Sequence, residues 1–264
     1  MTATHTRLGA LTAEQKQFFD DHGYLHLPGF YDADKLRRLR DEFHEMIANP
    51  DGRPKNVSYA YMDAPDGYEP DPFNPRNVHG MMDQVLINEF WFDQFAAPAI
   101  VQGLSDLPGP NLDFHNGKVR NKPPGFVNTQ SWHQDFPYER HTQPDLAAAI
   151  TYLDDTDFEA GATEIVPGSH KWGEVETFDG VRIAEEKIAP DSWQVVRARA
   201  GDVVVIHVLV VHRAGHNYTP VSRNAIINEY KTAETIDQWN NRCALAGLPL
   251  ARDGRPLLKR ITSW

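Results

Sequence analysis

The chain has little of what would place it in a membrane, outside the cell or on nucleic acid. A single cysteine, Cys243, rules out a disulfide within the chain and suits a reducing cytoplasm, which is the expected location. The longest apolar run, 203–211, is broken by His207 and falls far short of the roughly 20 residues that span a bilayer. The first 15 residues (MTATHTRLGALTAEQ) lack the apolar stretch and cleavage site of a secretory signal, so none is expected. Positive charge is scarce as well, with 26 Lys and Arg against 37 Asp and Glu and a net charge of −11. That balance offers no basic face for a phosphate backbone, and nucleic acid is not an expected partner. There is no internal repeat and no low-complexity tract. The 264 residues are expected to form one domain, 1–264, with its own core.

What is present divides into two textures. Residues 12–22 have Thr12 where an N-cap belongs and Gly23 where a helix would stop. After an extended piece at 24–30, residues 32–48 place Leu36, Leu39, Phe43 and Ile47 at spacings of three and four, the stripe of a core-facing helix. Residues 49–75 turn to Pro, Gly, Asp and Tyr, including Tyr59, Tyr61 and Tyr68, which reads as a long irregular loop and a candidate lid. A further helical region is expected over 81–104, before Pro108-Gly109-Pro110. Beyond residue 111 the pattern becomes β, in pieces at 112–119, 129–136, 146–153, 163–166, 193–198, 202–211 and 224–231. Many short strands without intervening helices predict a sandwich or barrel. The layout is therefore mainly β with N-terminal helices, an α+β arrangement: helices and lid at about 12–110, barrel core at about 111–231, and a C-terminal extension at 232–264.

Three sequence features bear on chemistry. In Trp132-His133-Gln134-Asp135, strand alternation would put His133 and Asp135 on one face and aim an imidazole and a carboxylate at one point. A strongly apolar stretch after Gly201-Asp202 ends in His212, well placed to face a cavity. Two histidines and one carboxylate are the ligand set of non-heme Fe(II) oxygenases, which keeps coordination positions open. The third feature is Arg223: the midpoint of 212 and 223 falls at the turn-like Asn217-Tyr218-Thr219-Pro220, so a hairpin there would set the arginine one strand from His212. Its planar fork suits a two-pronged grip on a carboxylate.

With these residues the chain resembles the phytanoyl-CoA dioxygenase family of Fe(II)- and 2-oxoglutarate-dependent oxygenases. The matching text is Asn121-Lys122-Pro123-Pro124, the HQD at 133–135, GATEIVPGSH at 161–170, Gly201-Asp202, and His212 with Gly215, Asn217 and Arg223, covering about 112–231. The resemblance implies a double-stranded β-helix, a jelly-roll barrel of two facing sheets. It implies Fe(II) held by His133, Asp135 and His212, 2-oxoglutarate as co-substrate with its C5 carboxylate on Arg223, and O2 at the remaining position. Family register selects His212 over His207, which five positions away should point to the other face of a regular strand. Some members carry a serine two residues after the distal histidine; Ala214 stands there, and Thr151 is the substitute expected to bind co-substrate. His170 is expected to organise its turn, and His115, His141 and His216 to be surface or cavity-rim residues. Lys118 and Arg120 could meet an anion, or form a solvated strand face.

The expected function is oxidation at a C–H bond of a small specialised metabolite, with hydroxylation as the default and an amino-acid derivative as the alternative substrate. Desaturation, epoxidation and ring closure share the same ligands, whereas Asp135 fills the position a halide would need. Competing readings are a non-catalytic jelly-roll binding protein and a cupin-like metal isomerase or hydrolase. A simple binder has no need for open metal positions and a carboxylate clamp. The sequence leaves the oligomeric state open.

Overall fold

In the computed structural model, the described residues are 11–51, 53–55, 57–61, 73–125, 131–238 and 243–257. Helix α1 (Ala13–His22) starts at a reciprocal box in which Thr12 accepts from the Gln15 backbone and Gln15 accepts from the Thr12 backbone, and it ends at Gly23 with φ of 76°. Strand β1 (Tyr24–Leu27) leads to α2 (Ala33–Ala48), capped by Asp32. Then come β2 (Ser58–Tyr61), β3 (Val78–Met82), α3 (Glu89–Phe95), α4 (Pro98–Leu104) and β4 (Leu112–Lys122). The barrel continues through β5 (Leu146–Tyr152), β6 (Thr163–Ile165), β7 (Gln194–Val195), β8 (Val203–His207), β9 (His212–Ala214) and β10 (Arg223–Thr232). Strands β11 (Pro249–Arg252) and β12 (Arg255–Pro256) follow.

The large sheet runs β1-β8-β5-β10-β4-β11-β12, with β3 also paired to β4 and β2 to β3, while β7-β6-β9 form a small sheet. Every pairing is antiparallel. Alternation along the strands sorts the side chains. From β5 and β8, Ala147, Ala149, Val203 and Val205 pack outward in a core with Phe19 of α1, Phe95 of α3 and Ile100, Val101 and Leu104 of α4. Ala148, Ile150, Tyr152, Val204 and Ile206 face inward, where Ile165 of the small sheet meets them. A third core joins the α2 stripe, Leu39, Phe43 and Ile47, to Val119 of β4 and Ile226 of β10. The fold is thus the expected jelly roll, helices outside and a lined hollow within.

Several expectations change. Residues 81–104 are not one helical region: Met81 and Met82 end β3, and α3 and α4 are short and separate. The sheet recruits β1 and β3 from before residue 111 and β11 from after 231. Within 49–75, Ser58–Tyr61 is a strand, and Tyr59 packs against the core under α2, its hydroxyl donating to the Met46 carbonyl at 3.4 Å. Tyr68 lies outside the described residues. Among the described residues no helix is long and apolar enough to cross a membrane.

Candidate metal centre and its cavity

His133 and His212 are held together by backbone before any side-chain chemistry. Each donates its N–H to the other's carbonyl at 3.0 Å, although 131–136 makes only this kind of isolated bridge and is not the expected strand. Residues 129 and 130 of that expectation lie outside the described residues. The N–H groups of Asp135 and Phe136 both donate to the Val208 carbonyl, at 3.0 and 3.1 Å, which fixes the carboxylate beside the two rings. Alternation survives locally: Gln134 points away and donates to the Leu209 and Gly173 carbonyls.

Both rings are oriented for a metal. Nδ1 of His133 lies 2.8 Å from the Ser131 carbonyl, and Nδ1 of His212 lies 3.0 Å from the Val210 carbonyl. A carbonyl can only accept, so each Nδ1 carries the proton and each Nε2 presents a lone pair. Those Nε2 atoms stand 3.6 and 3.8 Å from the same Asp135 Oδ1, and one ligand atom from each residue falls within 4.8 Å of the others. Burial, then the neighbouring His133, pushes His212 down to about 4, so it is neutral near pH 7. Burial opposes the charge of Asp135, but the two histidines and Lys118 outweigh it and hold the carboxyl below its usual range. Two imidazoles and one carboxylate are a donor set suited to Fe(II).

The three residues open into a cavity of about 310 Å³ that also receives Arg223. The predicted hairpin is absent: His212 sits on β9 of the small sheet and Arg223 on β10 of the large one, so they face the cavity from opposite sheets. The Arg223 guanidinium is buried, donates Nη2 to the Gly161 carbonyl at 2.9 Å and lies 5.8 Å from the Tyr152 ring. Its Nε has no hydrogen-bond partner, and no carboxylate among the described residues is within ion-pair distance. A buried cation with an orphaned donor is suited to an incoming carboxylate. Lys122, its register partner on β4, also lines the cavity and donates to the Gly215 carbonyl.

Thr151 is a correction. Its odd position in β5 turns it away from the cavity, toward the Tyr31 hydroxyl, while Ala148 and Ile150 line the hollow. The hydroxyl near Ala214 belongs instead to Thr163, its register partner across β6 and β9, which lines the cavity and bonds Tyr152 Oη at 2.8 Å. Sequence spacing could not reveal that pairing, because β6 and β9 are 47 residues apart with a long excursion between them.

His115 and His141 are buried, contrary to the rim position expected. His115 Nε2 is 2.5 Å from Glu139, and Glu139 and Glu229 complete a second buried cluster that Lys118 joins through an ion pair with Glu229. Burial and the nearby Glu139 charge raise Glu229 to about 7. His207 packs beside Phe19 and His170, and His170 contacts the Asp20 carbonyl, in keeping with structural roles.

A jelly roll with two histidines and one carboxylate at its mouth defines the class of cupin-like, iron-dependent oxygenases. The profile of the family described as phytanoyl-CoA dioxygenase (PhyH) matches residues 19–225, and the chain belongs to that family. It is an Fe(II)- and 2-oxoglutarate-dependent oxygenase by that membership. The chain is 25% identical over 242 residues to a "Probable alpha-ketoglutarate-dependent hypophosphite dioxygenase" of Stutzerimonas stutzeri, covering 86% of this chain and 80% of that one. It is 29% identical to the peroxisomal phytanoyl-CoA dioxygenase of Rattus norvegicus, covering 85% and 69%. In fold it is similar to EctD from S. alaskensis in its apoform, with TM-score 0.74, 16% identity, and 93% and 86% of the two chains covered. It is similar also to the carbocyclase SnoK from nogalamycin biosynthesis, with TM-score 0.69, 22% identity, and 93% and 96% covered.

Proposed function

We propose that this chain oxidises a small specialised metabolite at a C–H bond, with His133, Asp135 and His212 as iron ligands and Arg223 as the clamp for the C5 carboxylate of 2-oxoglutarate. The observation that carries the reading is the commitment of both Nδ1 atoms to backbone carbonyls, which leaves two Nε2 lone pairs converging on one carboxylate. Fe(II) bound there supplies O2 activation coupled to oxidative decarboxylation of 2-oxoglutarate to succinate and CO2.

The protein's own part is binding and aiming. Arg223, seated by Gly161 and backed by the Tyr152 ring, holds the distal carboxylate, with Lys122 beside it and Thr163 in the role first expected of Thr151. Ala148, Ile150 and Ile206 form the apolar floor that keeps the co-substrate chain dry. Relatives named for an epimerase and a carbocyclase of nogalamycin biosynthesis support a specialised metabolite as substrate and several fates for the oxidised carbon.

The test is a metabolite screen under Fe(II), 2-oxoglutarate and O2, monitoring succinate and a product that gains one oxygen or loses two hydrogens. Succinate formation that needs Fe(II) and disappears in Asp135→Ala is the expected result. No Fe(II)-dependent succinate with any substrate, or unchanged turnover in that variant, overturns the assignment.

A further inference from the structure

The whole chain is acidic, yet its cavity is not: Lys118, Arg120, Lys122 and Arg223 line it against two carboxylates, Asp135 and Glu229. The three β4 cations share one face because they occupy alternate positions of the strand. Distances separate the paired charges from the unpaired one. Lys118 is ion-paired with Glu229 and lies 4.0 Å from Glu139, and Asp135 belongs to the proposed metal centre. Lys122 and Arg223 sit in register and converge on the end assigned to the co-substrate. One Fe(II) and one 2-oxoglutarate cancel each other's charge, so loading the site leaves the excess of positive charge in place.

Arg120 is the cation left over. Among the described residues no carboxylate is within ion-pair distance of it, and its one hydrogen bond is a 3.4 Å contact from Nη1 to the Val119 carbonyl. Its place is nevertheless built. Gly80 is its register partner on β3, and a Cβ there would stand 2.4 Å from Arg120 Nη1, so the missing side chain is what lets the guanidinium lie across that strand. His79, next to Gly80, lines the same part of the cavity; burial and then Arg120 lower its pKa, so it is neutral near pH 7 and can donate to or accept from a ligand. Burial outweighs the charges of Glu229 and Asp135 at Arg120 and lowers its pKa, so a half-buried guanidinium with no carboxylate at ion-pair distance is costly unless something anionic arrives.

The geometry points to a primary substrate that carries an oxyanion, a carboxylate or a phosphorus oxyanion, received by Arg120 beside His79 while Arg223 receives 2-oxoglutarate. This rests on the oxygenase reading and adds the substrate class to it. Substrates with a neutral or cationic head are selected against by the same charge surplus.

The experiment uses the anaerobic protein loaded with Fe(II) and 2-oxoglutarate, and reads binding by calorimetry and thermal shift. Propanoate, methylphosphonate and neutral propanamide are the probes, each at ~10 mM, so that fragment-weak binding still registers. At least one anion is expected to bind and stabilise the wild type while propanamide does not, and the anion that binds more tightly identifies the head group. Arg120→Met should weaken that anion roughly ten- to hundred-fold, with Arg120→Lys intermediate. Gly80→Ala, which displaces the guanidinium without removing it, should weaken it too. The 2-oxoglutarate affinity of Arg120→Met and Arg120→Lys should stay at the wild-type value. Equal binding of both anions by wild type and Arg120→Met, or no anion preferred over propanamide, overturns the inference. Failure of wild type to bind 2-oxoglutarate with Fe(II) would instead sink the oxygenase reading, so the two failures are distinct.

Discussion

His133 and His212 exchange both of their backbone hydrogen bonds, each N–H to the other's carbonyl at 3.0 Å, although 79 positions separate them in the chain. The main chain thereby holds the two residues side by side, and the Nδ1 contacts to the Ser131 and Val210 carbonyls set the rings 4.2 Å apart. Replacing His212 by Ala should therefore leave the fold intact and remove most Fe(II) binding. Circular dichroism and anaerobic metal titration check this, and wild-type iron affinity in the variant would remove His212 from the centre.

Arg223→Lys keeps the charge but loses the fork, and should weaken 2-oxoglutarate by about 1.5–3 kcal/mol, the range for a charge-assisted hydrogen bond. Calorimetry on the Fe(II) protein measures it. An unchanged dissociation constant would take Arg223 out of the co-substrate site.

Lys122 gives that site a pH dependence. Burial, then the charge of Arg223, lowers its pKa to about 7 in the ligand-free protein, so half of it is neutral there. A carboxylate binds the protonated form and raises its pKa. Affinity for 2-oxoglutarate is thus greatest below pH 7 and falls as pH rises above it, by up to about tenfold per unit. Lys122→Met should bind more weakly at pH 6 and show a flat profile from 6 to 8.5; an equally steep profile in the variant would assign the titration elsewhere.

These contacts were unequally legible. His133 and Asp135 could be paired by alternation, and Trp132 and Gln134 do turn the other way, even though the segment is held by bridges to His212 and Val208 and not by a strand ladder. Arg223 lines the cavity with His212, but not through the hairpin that the spacing predicts, because a turn-like run between two strands says nothing about which sheet each joins. Thr151 failed on parity: its neighbours Ala148 and Ile150 set the inward face, and odd positions of β5 pack toward the helices. The seat of Arg120 is invisible in sequence because it depends on Gly80 lying opposite on β3.

Tyr59 falls within the candidate lid, yet it packs against the core under α2 and its hydroxyl meets the Met46 carbonyl. Tyr59→Ala should therefore lower stability by on the order of 1–2 kcal/mol and leave the KM of both substrates unchanged. Urea unfolding beside steady-state kinetics separates the two effects. A KM change at undiminished stability would restore the lid.

His207 supplies an acid-side stability test. Burial, then His170, pushes its pKa to about 4, and its Nδ1 accepts the Leu209 N–H at 3.0 Å, a bond that a protonated ring cannot accept. Between pH 6.5 and 4 the unfolded chain takes up a proton that the folded one refuses. Stability is therefore full above 6.5 and falls on acidification, by on the order of 3 kcal/mol at pH 4 from this residue. In His207→Gln the slope of unfolding free energy against pH over that window should be shallower, and an identical slope would show that His207 does not contribute.

Gly161 links the fold of the small sheet to Arg223, the proposed clamp for 2-oxoglutarate. Its φ is +69°, and a Cβ there would stand 2.6 Å from the Gly215 carbonyl and 2.7 Å from that of His216, both backbone atoms with little freedom to retreat. Its own carbonyl is the seat of Arg223 Nη2. Gly161→Ala must then shift the turn, and the guanidinium shifts with it, while the three proposed iron ligands keep their separate ties to Val208 and to one another. The expected outcome is a loss of roughly 1–3 kcal/mol in stability from the strained backbone, with a weaker 2-oxoglutarate complex and wild-type Fe(II) affinity. Calorimetry with each ligand on the folded variant decides it. If 2-oxoglutarate binds as in wild type while only the melting temperature falls, Gly161 shapes its turn and does nothing for Arg223.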